Sequence, residues 1–403
     1  MAAHEWQIAI FGTFDVENYG DLLFPILAEA ALSTRLGAVK LHKFSYHEKS
    51  ASDWPYTVTS LTELPELACQ LDAILIGGGF LIRFDKIVAA NYAPPTPEIH
   101  HPTGYWLTPA LIALQHGIPL IWNAPGMHCN DVPQWAKPLM TLALENSSHI
   151  AVRDSLSQAA LVPYAKTTPI HVLPDTAFAI ADLIDEQQLS AAFHRLRKSL
   201  GLTEPYIVIH AIHTVVPALQ FIKRHRERFQ HLRILVLPIG PVLGDHESIV
   251  GDDLPNAVVL PYWPQPVLLA EFISQAAAVI GHSYHLMITA LAFGVPVFSS
   301  ADLGVGKYTA LAVYDTVYGW PAEPEIDPNW LLSRIGKTTV CDKVRHAHAE
   351  VVAHWDRVAT IVQSGPHASQ AAVNRFWQML PNLLEESGGQ TEGQSQVPRT
   401  KSV

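Results

Sequence analysis

The sequence predicts an α/β protein of two lobes, each a parallel sheet wrapped by helices, followed by a helical C-terminal segment. Three observations lead there. A chain of 403 residues is longer than one hydrophobic core sustains. Its first half alternates short apolar runs with helix-length segments, the rhythm of strand, crossover helix and parallel strand. That rhythm stops near residue 180 and restarts near residue 206.

In order, the runs of the first lobe are Ile8-Ala-Ile-Phe11, a helix over Leu22 to Leu36, Leu71-Asp-Ala-Ile-Leu-Ile76, Pro119-Leu-Ile-Trp122, His149-Ile-Ala-Val-Arg153 with a helix from about Ser155, and Ile170-His-Val-Leu173. This lobe is set at residues 1–182. A connecting helix is expected over 183–203, opening a second lobe at 183–326 whose strands are Tyr206 to His210, Arg233 to Leu237, Ala257 to Leu260, Ala278 to Ile280 and Val295 to Phe298. Residues 327–384 read as mainly helical. The Gly, Gln, Ser and Thr of 385–403 cannot build a core and predict a disordered tail.

Composition bounds the partners. With 49% hydrophobic and 16% charged residues the chain can bury well-filled cores. A formal charge of -11 repels phosphate backbones and argues against nucleic acid, so an anionic ligand needs a local cluster of cations. Cys69, Cys129 and Cys341 are far apart, which opposes a disulfide framework and a structural zinc site and fits a reducing compartment, with cytoplasm expected. The chain enters its first strand by Gln7 without a leader-like segment, and no apolar stretch approaches the roughly 20 residues that span a bilayer.

In parallel sheets ligands bind beyond the carboxyl ends of the strands, which directs attention to the residues following each run. Asn18, Gly20 and Asp21 follow the first strand and open a helix, where they serve either a ligand or a cap. Gly77, Gly78 and Gly79 leave backbone amides accessible, and Asn123 to Gly126 repeat the style, together suggesting a floor for substrate. Arg153 stands at a strand end before Ser155 and Ser157, placed for a carboxylate or phosphate or else for pairing with Asp154 or Asp175. His210 and His213 lack the companions a metal requires, and no metal site is expected. Asp245 reads as a helix cap. Lys307 follows Gly304-Val-Gly306 without the rest of a P-loop, which excludes nucleotide hydrolysis and leaves Lys307 as an anion contact. Gly281-His-Ser-Tyr-His285 is a polar turn between strand and helix, and an imidazole at His285 can take or give a proton near neutral pH.

The ordered set Asn18-Tyr-Gly-Asp21, Ile76-Gly-Gly-Gly79, Val152-Arg-Asp-Ser-Leu-Ser157, Pro174-Asp175, Ser283-Tyr-His285 with Gly294-Val-Pro296, and Lys307 resembles the polysaccharide pyruvyl transferase family over about residues 7 to 320. The resemblance implies two Rossmann-like lobes in a GT-B-like arrangement. It implies phosphoenolpyruvate as donor substrate, no cofactor, and a glycan or lipid-linked oligosaccharide as acceptor, the latter drawing the protein peripherally to the inner face of the membrane. By the same analogy Arg153 holds the donor's phosphate or carboxylate and His285 transfers protons, with Asn18, Gly20, Asp21, Gly78, Gly79, His210, Ser283 and Lys307 binding substrate. Many members carry an arginine where this chain has Ser283, leaving Lys307, His282 or His210 to compensate. Two other functions fit the same architecture: a glycosyltransferase using a nucleotide sugar, and a non-catalytic scaffold for glycan assembly.

Overall fold

The computed structural model describes residues 4–84, 103–202, 205–246, 254, 256–321 and 327–365. The first sheet has seven strands in the order Thr59–Ser60, Val39–Ser45, Trp6–Phe11, Ala73–Ile76, Leu120–Asn123, His149–Val152 and Ile170–Val172. The second has six, Ala257–Val259, Arg233–Leu237, Tyr206–His210, Ala278–Gly281, Val297–Ser299 and Val317–Gly319. All pairings within both sheets are parallel. Central strands such as Ala73–Ile76 and Tyr206–His210 are buried throughout, which is why they read as continuous apolar runs.

Each sheet reverses its strand order once. In the first lobe the reversal lies between Trp6–Phe11 and Ala73–Ile76, and in the second between Tyr206–His210 and Ala278–Gly281. Chain segments leaving the two sides of such a reversal diverge and leave a crevice at the carboxyl ends. The glycine loop after Ile76 is shaped further by a separate pair of short strands, Gly79–Ile82 and Pro125–Met127.

One expected element is shorter than the sequence suggests. Instead of a helix over 183–203, a 3-10 turn covers Thr176–Asp182 and the helix runs only Ala191–Ser199. Local polar groups set these limits: the Asp185 carboxylate takes the Gln187 amide at 2.9 Å, and Ser190 caps the helix by accepting the Phe193 amide at 3.1 Å.

The lobes share a core. One apolar cluster runs from Leu22 and Leu27 through Phe178, Leu269, Met287 and Leu291 to Trp355 and Val362. Tyr19 crosses the junction twice, its amide donating to the Ile239 carbonyl at 2.9 Å and its hydroxyl paired with Thr289 at 2.7 Å. The long helix Asp342–Ser364 leaves the second lobe and returns to the first, where Arg35 pairs with Asp356 at 2.7 Å and His354 bonds Asn123 at 2.9 Å. The rest of the expected helical segment, from 366, and the expected disordered tail lie outside the described residues. Among the described residues no helix is long and apolar enough to cross a membrane.

Where that helix returns three imidazoles cluster with tilted rings, His149 lying 5.3 Å from both His171 and His354. Burial, then the neighbouring cations, holds His149 down at about 4 and His354 at about 3. Both rings are neutral when folded but protonate near 6.5 when unfolded. Their contribution is therefore complete above about pH 6.5 and is lost as pH falls toward 4 and 3. We expect the melting temperature to drop between pH 7 and pH 5, and His149→Phe to flatten that drop; an equal slope in the variant would refute the assignment.

Candidate functional site

The two reversal points face a common cavity of about 250 Å³ between the lobes. His285 enters it because Ser283, just beyond the buried strand Ala278–Gly281, caps the helix Tyr284–Ala292 by accepting the Leu286 amide at 3.4 Å. Its Nε2 lies 3.5 Å from Asp175 Oδ2, and the Phe24 ring meets its face edge-on at 5.3 Å. A Cβ on Gly20 would sit 1.8 Å from His285 Nδ1, so only glycine lets the first-lobe helix Tyr19–Leu36 approach this ring. The Asp175 carboxylate is enclosed. Burial pushes its pKa up, but the charges of His285 and Arg153 and the bonded Ala177 amide outweigh this and leave it below the ordinary value.

Arg153, 4% exposed, lies over two aromatic rings, its guanidinium carbon 4.4 Å from the Phe80 ring centre and 5.1 Å from that of Tyr284. Asp154 and Asp175 come within 3.6 and 3.9 Å, yet Nε and Nη2 make no hydrogen bond. Gly126 makes room, since a Cβ there would meet Nη2 at 2.3 Å. Lys307 adds a second cation over the same rings, 5.1 Å from Phe80 and 5.9 Å from Tyr284. Burial and the charge of Arg153 lower its pKa to about 8. Facing them, Asp21 takes the Thr13 hydroxyl at 2.6 Å and the Asn18 amide at 2.8 Å, and burial raises its pKa against the pull of His285, Lys307 and Arg153.

On the second lobe, His210 has both ring nitrogens engaged. Nε2 donates to Asp245 Oδ2 at 2.5 Å, while Nδ1 accepts the amides of His282 and Ser283, each at 3.3 Å. Asp245 is therefore not the helix cap that its position suggested. Its Oδ2 also receives the Ile239 and Gly240 amides at 2.8 and 2.7 Å, which folds the loop after Leu237 back against the strand.

Asn18, Asp21, Gly79, Arg153, His210, Ser283, His285 and Lys307 all line the cavity. Two expected contacts do not. Gly20 lies behind the His285 ring, and Gly78 packs where a Cβ would strike Phe24 at 2.3 Å, so both glycines permit close packing. His210 lines the wall but spends its polar atoms on the 282–283 turn. Of the groups left to replace an arginine at position 283, Lys307 stands beside Arg153 over the Phe80 ring, whereas His210 is occupied. The expected floor at Asn123 to Gly126 acts indirectly, Asn123 holding His354 and Gly126 accommodating Arg153. Sequence reasoning missed Phe80 and Tyr284 as platforms for the cations and Asp245 as a wall residue. Phe80, immediately after the glycine run, carried the one local signal. Among the described residues no three His, Cys, Asp or Glu side chains gather as a metal site.

Two Rossmann-like lobes enclosing a charged cavity between their sheet ends define a GT-B fold. The solved structure of UDP-GlcNAc 2-epimerase from Methanocaldococcus jannaschii superposes with a TM-score of 0.60 at 11% identity, over 90% of this chain and 100% of that one. The UDP-GlcNAc-bound 2-epimerase from Neisseria meningitidis does so with a TM-score of 0.52 at 13% identity, over 93% and 99%. The polysaccharide pyruvyl transferase model matches residues 18–301, and the chain belongs to that family. No curated protein sequence matches it.

Gly20→Ala tests the packing at His285. The added methyl must displace the imidazole, so the NMR resonances of the His285 ring should move relative to the unmodified protein while the far-ultraviolet spectrum is retained. Unchanged His285 resonances would contradict the close approach.

Proposed function

We propose that the protein transfers a pyruvyl group from phosphoenolpyruvate to a sugar of an exopolysaccharide or cell-surface glycan, forming a ketal across two hydroxyls without a cofactor. The observation that carries this reading is the buried Arg153 guanidinium with Nε and Nη2 unpartnered, beside the His285–Asp175 pair. An enclosed guanidinium with two free donors is a receptor for a carboxylate or phosphate, and phosphoenolpyruvate carries both. Lys307 supplies the second positive charge such a trianion requires.

The residues present suit the chemistry. Proton delivery from His285 to the enol methylene carbon makes the adjacent carbon electrophilic, and one sugar hydroxyl adds there, returning its proton to the imidazole. Cleavage of the carbon–oxygen bond to phosphate follows, with Arg153 and Lys307 stabilising the departing charge. The second hydroxyl closes the ketal and its proton leaves with the phosphate, so two hydroxyl protons are accounted for, one in the new methyl group and one in hydrogen phosphate. Asp175 holds the imidazole and balances its charge. Should the acceptor be lipid-linked, the protein works peripherally at the inner face of the membrane. The alternative is a nucleotide-sugar glycosyltransferase, supported by the fold it shares with the UDP-GlcNAc-bound enzyme from Neisseria meningitidis.

Incubated with phosphoenolpyruvate and candidate glycans, the protein should release phosphate and add a pyruvyl ketal. His285→Ala should lower turnover about 100-fold or more, while Arg153→Ala chiefly weakens donor binding. Binding of a nucleotide sugar in preference to phosphoenolpyruvate would sink the reading.

A second consequence concerns pH. Lys307 is cationic below about 8 and loses its proton above that value. Donor affinity measured by calorimetry should accordingly weaken as pH rises through about 8, and Lys307→Met should bind weakly at pH 7 and lack this alkaline limb. A variant retaining the same limb would show that another group is responsible.

A further inference from the structure

Outside the Arg153–Asp175–His285 cluster, two buried polar atoms on residues that line the cavity have no hydrogen-bond partner among the described residues, Asp245 Oδ1 and His282 Nδ1. Asp245 is 7% exposed, and its other oxygen already receives His210 Nε2 and the Ile239 and Gly240 amides. Those three donors fix the carboxylate plane and leave Oδ1 as the buried oxygen without a donor. His282 is tied to the same imidazole from the other side, since its amide donates to His210 Nδ1. A single buried ring thus holds both acceptors in place.

The chemistry of the pair narrows what can occupy it. A carboxylate oxygen accepts only, and so does the imidazole nitrogen that carries no proton. Burial first, then the charges of His210, Lys307 and His213, lower the pKa of His282 against a bond to the Ser300 backbone that raises it, which favours the neutral ring. An anion brought to Asp245 would be repelled, and an apolar group would leave two buried acceptors unsatisfied. A neutral molecule presenting two hydroxyls meets both demands. His282 also adjoins the cationic end of the cavity: Lys307 acts on its charge, and its ring lies 5.3 Å from that of Tyr308.

We infer that Asp245 Oδ1 and His282 Nδ1 form the acceptor subsite, each receiving a hydrogen bond from one of the two sugar hydroxyls that the ketal bridges. This rests on the pyruvyl-transfer reading and adds the acceptor's place to it. The cavity is then divided by charge, with the donor anion at Arg153 and Lys307 and the neutral diol at Asp245 and His282.

Asp245→Asn is the informative change. The amide oxygen can occupy the Oδ2 position and keep all three donors, while its NH2 group puts a donor where the sugar hydroxyl needs an acceptor. The KM for an acceptor drawn from a panel of methyl hexopyranosides should rise roughly ten- to hundredfold, with phosphoenolpyruvate affinity by calorimetry within about twofold of the unmodified protein. His282→Phe should act in the same direction. A glycoside lacking one of the two hydroxyls cannot be turned over, but its binding, read by saturation-transfer NMR, should be insensitive to one of the variants. An unchanged acceptor KM in both variants, or a loss confined to phosphoenolpyruvate affinity, would overturn the assignment. If Asp245→Asn does not fold, as judged by its melting curve, His282→Phe decides by the same two measurements. If the unmodified protein binds no phosphoenolpyruvate, the pyruvyl reading fails by itself; saturation-transfer NMR with the glycosides then tests the subsite separately, and equal contacts in protein and variants would refute it.

Discussion

The site depends on keeping charges apart from water where the two lobes meet. Arg153, Asp175 and His285 are buried together, a cost in desolvation that mutual attraction offsets only if the geometry is held. Everything around them holds it. Phe80 and Tyr284 pack against the guanidinium, Asp175 is anchored by the Ala177 amide, and Gly20 brings the first-lobe helix against the imidazole. The charges come from three separated stretches of chain, so none of this exists until both sheets have formed and closed on one another.

That dependence explains what could be read from the sequence and what could not. Buried parallel strands announce themselves as apolar runs, and Ala73–Ile76, His149–Val152 and Ala278–Gly281 were all legible. Val39–Ser45 was not, because Lys40, His42 and Lys43 interrupt the apolar pattern of an otherwise regular parallel strand. The expected connecting helix failed for a local reason, since Asp185 and Ser190 use their side chains on backbone amides and confine helix to the residues after them.

Site residues followed the same division. Arg153, His285 and Lys307 stand just beyond strands or in glycine-bearing loops, and position alone marked them. Asp245 also stands in a glycine-bearing loop after a strand, but its partners do not follow from that position: five to six residues separate it from the Ile239 and Gly240 amides it receives, and 35 from the imidazole it holds. Its role arises from a loop folding back on its own strand, which periodicity does not register. Gly20 and Gly78 add a constraint that their place beside a cavity does not announce, since the His285 and Phe24 rings leave no room for a Cβ.

The return of the helix Asp342–Ser364 to the first lobe has a consequence for the life of the chain on the ribosome. Val351, Trp355, Val358 and Val362 belong to the same core as Leu22 and Leu27, more than 300 residues earlier. The lobe that is synthesised first therefore emerges with an apolar face uncovered and retains it until nearly the whole described chain has been made. Domain-by-domain folding during synthesis therefore leaves the first lobe's core incomplete until the helix Asp342–Ser364 has been made.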